Sequence, residues 1–126
     1  MNLIFEQETY AIRGAILDVY GTLGSGFLEA VYQEALEKEL KARGIPFKSQ
    51  QLLQIDYKGE PLTQTYKVDA LCYDAIILEL KAVREIAPEH KAQLLNYLKA
   101  SGKQLGLLVN FGHHPGCEIV RMVSNG

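Results

Sequence analysis

Residues 66 to 82 read YKVDALCYDAIILELKA, two apolar runs suited to folding on each other as a hairpin, yet they carry Asp69, Glu79 and Lys81. Alternation along a strand puts Ile77, Glu79 and Lys81 on one face and Ile76, Leu78 and Leu80 on the other. A three-residue loop at Tyr73 to Ala75 would set Asp69 directly opposite Glu79, whereas a two-residue loop would send it to the other face. The three-residue loop is the expectation. Two carboxylates ~4 Å apart repel by about 4 kcal/mol at an effective dielectric of 20, and one lysine offsets only part of that. A divalent cation would relieve the repulsion. Carboxylate oxygens with several waters retained suit Mg²⁺ or Mn²⁺, and the Lys81 ammonium beside them could position or deprotonate a water attacking phosphorus. The pattern describes metal-assisted phosphodiester hydrolysis. A partly exposed cross-strand ion network, worth little to stability, would use the same residue types.

The flanking sequence supplies the elements that would hold these groups. From Glu6 to about Leu23, Ile12, Ala15, Ile16, Val19, Tyr20 and Leu23 recur at helical spacing. The GSG at 24 to 26 breaks that helix, and Ser25 is a candidate cap for the next. Leu28, Val31, Tyr32, Ala35, Leu36 and Leu40 repeat the stripe until Gly44. Beyond Pro46 the period changes. Leu53, Ile55 and Tyr57 alternate with polar residues, KGEP turns the chain, and Thr65 to Cys72 and Ala75 to Lys81 follow as strands. A third helix is predicted from Pro88 to Gly102, with Leu94, Leu95 and Leu98 on its buried side. The doubly apolar LGLLVNF, 105 to 111, returns as an interior strand, making a right-handed βαβ crossover with the strand at 75 to 81. CEIVRMV adds an edge strand. The order is ααβββαββ, a mixed sheet covered by helices in an α+β (α/β) architecture.

Three more polar residues fall where such a site could collect them. Glu29 lies three residues after Gly26 in the first turn of the second helix, and Gln93 and Tyr97 are one turn apart on the third. GSGFLEAVYQEAL, 24 to 36, contains Gly26, Glu29 and Tyr32 in the spacing of the GxxExxY proteins, and the chain resembles that small branch of the PD-(D/E)XK nuclease superfamily. There a metal-binding carboxylate on one strand precedes a (D/E)xK triplet on the next. VD at 68 and 69 with ELK at 79 to 81 matches this pattern, and QLLNY at 93 to 97 is similar to the QxxxY element of the RecB-like branch. Val68 replaces the proline that names the superfamily, a position that does not touch the chemistry. The resemblance runs from the first helix to LGLLVNF and implies a restriction-endonuclease-like core. It also implies Asp69 and Glu79 as ligands of Mg²⁺ or Mn²⁺, Lys81 as the catalytic lysine, and Glu29 as a further metal or water ligand. Gln93 and Tyr97 become supporting groups for substrate or lysine, and the partner becomes nucleic acid, DNA ahead of RNA. A non-catalytic nucleic-acid- or protein-binding module that kept the fold is the alternative.

Composition bounds the rest. With 126 residues, 48% of them hydrophobic, the chain suits one domain over 1–126. A formal net charge of −2 provides no global basic field, so a nucleic-acid partner would need a local patch or a bound cation. Lys67, Lys81, Arg84, Lys91, Lys99 and Lys103 are candidates for such a strip. Acidic Glu6 and Glu8 precede any long apolar run, and no run approaches the ~20 residues that cross a bilayer, so a cytoplasmic protein without membrane contact is expected. Cys72 and Cys117 lack zinc-site spacing and read as small buried residues. His113 and His114 sit among glycine and proline in a turn, and His90 opens the third helix. Two copies could pair through the outer side of the first helix or the CEIVRMV edge.

Overall fold

A computed structural model describes residues 4–124. The elements are α1 (Glu6–Leu23), α2 (Glu29–Ala42), β1 (Phe47–Tyr57), β2 (Glu60–Cys72), β3 (Ile76–Lys81), α3 (Pro88–Ser101), β4 (Leu105–Asn110) and β5 (Glu118–Val123). The predicted order is observed. The strands form one five-stranded sheet in the order β1-β2-β3-β4-β5. Neighbours are antiparallel except β3 and β4, which run parallel because α3 carries the chain back between them. None of the described helices is long and apolar enough to cross a membrane.

Both faces of the sheet are covered, which is why β3 and β4 are apolar on both sides. On one face, Ile12 and Ile16 of α1 and Tyr32, Leu36 and Leu40 of α2 pack on Leu78, Leu80, Leu107 and Val109. On the other, Leu94 and Leu98 of α3 meet Ile77, Leu71 and Leu108. A Cβ at Gly106 would come within 2.9 Å of Leu94 Cδ1, so the glycine lets α3 close on β4. The second helix differs from expectation at its start. Leu28 is the N-cap and is 79% exposed, Val31 is 39% exposed, and Ser25 does not cap. Helical geometry begins only at Glu29, so burial falls to Tyr32, Leu36 and Leu40 at i, i+4, i+8. Leu95 is likewise only half-buried.

β1 and β2 are longer than their hydrophobic alternation suggested, and they outrun the sheet. β2 pairs with β1 from Cys72 back to Glu60, but with β3 only through Ala70, Leu71 and Cys72. Beyond Ala70 the two strands part. Ala70 and Cys72 face the α1/α2 core, whereas Val68 and Tyr66 join the α3 cluster, so β2 changes sides at Asp69. Across from Asp69, Gln50 of β1 adopts a left-handed φ of 50°, a backbone state unusual for a non-glycine strand residue.

The far end of β3 is locked by β4. Asn110 is fully buried, and its Oδ1 accepts from the backbone N–H of Val83 and of Gly112, each at 3.0 Å, while its Nδ2 donates to Glu118 Oε1 at 2.9 Å. Phe111 N–H donates to the Lys81 carbonyl at 2.8 Å. Gly112 lies so close that a Cβ there would fall 2.6 Å from the Ala82 carbonyl carbon. The chain leaving Lys81 is therefore held by backbone and amide bonds. Asn110→Ala removes the acceptor of two N–H groups and is expected to cost about 2–4 kcal/mol, read as a lowered urea midpoint at unchanged m-value.

Candidate active site

The β2–β3 hairpin turns through Tyr73, Asp74 and Ala75, with Tyr73 and Asp74 at φ of 55° and 56° and Ala75 N–H donating to Cys72 O at 3.0 Å. Cys72 pairs with Ile76 and Ala70 with Leu78, so the same register sets Asp69 opposite Glu79. This is the three-residue loop. The backbone ladder stops there and side chains continue it. Leu80 N–H donates to Asp69 Oδ2 at 2.7 Å, and Asp69 N–H donates to Glu79 Oε1 at 3.1 Å. Each carboxylate thus has one oxygen tied to the opposite strand, leaving Asp69 Oδ1 and Glu79 Oε2 outside these bonds. Both carboxylates lie at the opening where β2 and β3 part.

Burial makes these carboxylates costly to ionise. Glu79 is only 8% exposed, and desolvation followed by the charge of Asp69 pushes its pKa up to about 7. The Asp69 N–H bond and Lys81 pull the other way and lose. Asp69 is raised chiefly by burial, against the Leu80 N–H bond and the charges of Lys81 and Lys67. Glu29, the first residue of α2, is raised by partial desolvation and then by Asp69, while Lys81 and His90 lower it. Glu29, Asp69, Glu79 and Lys81 therefore feel one another's charge although they come from three elements.

Tyr97 faces the same field. Burial, then Glu79 and Asp69, raise its phenol, and its ring stacks on Tyr66 at 4.0 Å and 10° while Tyr66 Oη donates to its carbonyl at 2.6 Å. Gln93 lies one turn earlier on α3 and is exposed, with no hydrogen bond joining it to the carboxylates. One residue not singled out from the sequence helps build the site. Gln33 Nε2 donates to the Asp69 carbonyl at 2.9 Å, pinning α2 to β2, and a cavity of about 360 Å³ beside it is lined by Glu29, Gln33, Glu34, Glu37, Gln50 and Asp69. His90 acts in the start of α3, its Nδ1 accepting from Ala87 N–H at 3.0 Å. Spacing four residues after Glu29 was the only sequence signal for Gln33.

Other candidates fall away from this opening. Lys103 Nζ donates to the Asp74 carbonyl at 3.0 Å, at the opposite end of β3 from Lys81, so the lysine strip does not extend that far. His113 Nδ1 bonds within its own turn, to Gly116 O at 2.8 Å. Burial pushes the thiols of Cys72 and Cys117 up to about 12, so both stay protonated near neutrality.

The donor set fits a divalent cation of the hard, oxygen-binding kind. Among the described residues no three His, Cys, Asp or Glu side chains already form a closed cluster. Asp69 and Glu79, whose carboxyls burial holds above their ordinary pKa, match an ion that keeps several waters. Without such an ion the sign of the pH effect is fixed. The folded Glu79 carboxyl has a pKa above its ordinary 4.5, so the native chain binds more protons than the unfolded one between pH 4.5 and about 7. Stability falls as pH rises through that window and is flat above it, and Asp69 and Glu29 act in the same direction. With chelator present, urea denaturation should show a loss on the order of 2–3 kcal/mol between pH 5 and 8, largely abolished in Glu79→Gln. An equal slope in both proteins would contradict the assignment.

Residues 6–122 match the family model of the PD-(D/E)XK nuclease superfamily. No curated protein sequence matches the chain. Among solved structures, the protein titled SSO0001 is 19% identical with a TM-score of 0.60, over 94% of this chain and 61% of that one, so the chain spans about three-fifths of its length. An alkaline exonuclease, LHK-Exo from Laribacter hongkongensis, is 14% identical with a TM-score of 0.53, over 99% of this chain and 73% of that one. At such identities the likeness is one of fold, and it agrees with a restriction-endonuclease-like mixed sheet. With nearly its whole length matched, the chain belongs to the PD-(D/E)XK nuclease superfamily.

Proposed function

We propose that this protein hydrolyses phosphodiester bonds of nucleic acid, DNA before RNA, and that it is a member of the GxxExxY branch through Gly26, Glu29 and Tyr32. One observation carries the reading: Asp69 and Glu79 close a gap in the β2–β3 ladder with their side chains, and Lys81 follows on the same face of β3. Asp69 and Glu79 would hold Mg²⁺ or Mn²⁺, with Glu29 as a further ligand to the ion or to its water. When bound, the ion supplies positive charge to the phosphoryl oxygens and lowers the pKa of water. Lys81 orients the attacking water and balances charge on the phosphate, and water adds to phosphorus as the ester P–O bond breaks. Tyr97, and Gln93 beside it on the exposed face of α3, support the substrate or the lysine. The superfamily match and the exonuclease fold neighbour both favour this reading.

Charge sets the direction of approach. The cavity on the α2 side of Asp69 is lined by Glu29, Glu34 and Glu37 and repels a phosphate backbone. The backbone therefore enters from the side of Lys67 and Lys81, the two cations whose charge reaches Asp69. The same acidic lining favours a second reading, a non-catalytic binding module. Assays on single- and double-stranded DNA and RNA with Mg²⁺ or Mn²⁺ separate the two. Hydrolysis should fall about 100-fold or more in Asp69→Asn and in Lys81→Ala, both still folded. Wild-type protein that binds a strand without cutting any, with both variants binding equally well, would replace the nuclease reading by the module.

A further inference from the structure

Glu29 is held in a way that its own neighbours do not explain. It is the first residue of α2, yet α2 has no side-chain N-cap: the capping position is the exposed Leu28. A helix start without a cap frays, and its first residues wander. Here a residue of the second turn holds the loop ahead of the helix instead. Tyr32 is fully buried; its hydroxyl accepts from Phe27 N–H at 3.1 Å and donates to the Gly24 carbonyl. Gly24 is itself the C-cap of α1, its N–H donating to Tyr20 O at 2.8 Å. One phenol thus fastens the end of α1 and the loop that leads to Glu29.

The ring of Tyr32 faces the other side of the site. It stacks on Phe111 at 4.6 Å with an interplanar angle of 1°, while Phe27 meets it edge-on at 6.2 Å. Phe111 follows β4 directly and donates its N–H to the Lys81 carbonyl. From the loop before Glu29 to the backbone of Lys81 there is one ring stack, with two hydrogen bonds at the loop end and one at the Lys81 end. A buried tyrosine with a satisfied hydroxyl is ordinary core. A buried tyrosine whose hydroxyl ties down the loop ahead of an uncapped helix, next to one site residue and stacked on the clamp of another, is a brace.

We propose that Tyr32 is a positioning residue of the site, its hydroxyl setting the first turn of α2, and with it Glu29, against the Lys81 end of β3. The proposal rests on the nuclease-like reading for the purpose of that positioning, but the brace itself is read without it. Tyr32→Phe keeps the ring stack and removes only the two loop bonds. Hydrogen exchange of the Phe27 to Ala30 amides should speed up by about tenfold, while the amides of β3 and β4 keep their protection. Mn²⁺, titrated calorimetrically, should bind about tenfold more weakly to Tyr32→Phe, as when a group supporting a ligand is lost. In a Glu29→Gln background the same substitution should change Mn²⁺ affinity no further. Leu28→Ser, which offers a side-chain acceptor to the first-turn N–H groups of α2, should restore part of the Mn²⁺ affinity in Tyr32→Phe while the Phe27 amide stays fast.

Unchanged exchange at Phe27 to Ala30 would overturn the brace, and so would losses from Tyr32→Phe and Glu29→Gln that simply multiply. A Tyr32→Phe chain that fails to fold even with Leu28→Ser would make the tyrosine a determinant of the whole fold and overturn the proposal too. Wild-type protein that takes up no Mn²⁺ would sink the metal reading alone, and the exchange data would then decide the brace by themselves.

Discussion

The constraint on which this molecule turns is the obligation of buried backbone N–H groups to find acceptors where β2 leaves β3. The ladder between them ends at Ala70 and Leu78, and the next donors, Asp69 N–H and Leu80 N–H, would be stranded at the edge of the core. Apolar side chains there would leave them unsatisfied. Glu79 and Asp69 supply the acceptors, so the fork can stay open without orphaned donors. Two carboxylates in that position then repel each other, and desolvation pushes both towards their neutral forms. The fork is satisfied in hydrogen bonds and unsatisfied in charge, an electrostatic state that a bound cation would relieve.

Everything around the fork fixes its width. Gln33 ties α2 to the Asp69 carbonyl, Asn110 and Gly112 hold the chain beyond Lys81, and Leu94 against Gly106 seats α3 on β4. These contacts come from both layers of helices, so neither layer alone positions the carboxylates. Gln50, left-handed on β1 across from Asp69, belongs to the same arrangement, for β2 changes faces at that residue. Strain of this kind is retained where the surroundings over-determine the backbone, and here they do.

Much of this was legible in the sequence because two periodicities are strict. Alternation in IILELK and a loop of three residues suffice to set Asp69 against Glu79, and the stripe of α1 is unbroken. The lengths of β1 and β2 were not legible. KSQQ and EPLTQT have no hydrophobic rhythm, since they lie in the outer β1–β2 ribbon, KSQQ against 68–71 and EPLTQT against 54–57, and are exposed apart from the half-buried Gln51. Leu28 and Val31 misled because a helical stripe cannot tell a core residue from an exposed one next to a helix start. Gln33 and Asn110 are neutral residues whose roles are hydrogen bonds to distant backbone, and single-chain spacing carries no trace of those partners.

The acidic balance of the chain then takes on a meaning that composition alone did not give it. A net charge of −2 supplies no long-range attraction for a polyanion, and the carboxylates of the fork and of the α2 cavity make the local field worse. Among the described residues, the Leu80 N–H bond and the charges of Lys81 and Lys67 act on Asp69 in the opposite sense. Neutralising the fork would therefore change both the stability of the protein and the sign of the field that an incoming phosphate meets. With a cation in the fork, as proposed, its binding and that of a phosphate ligand would be coupled, each raising the affinity for the other by the same factor, as linkage requires. The site needs no basic domain beside it if the ion that completes the fork also makes it attractive to the strand.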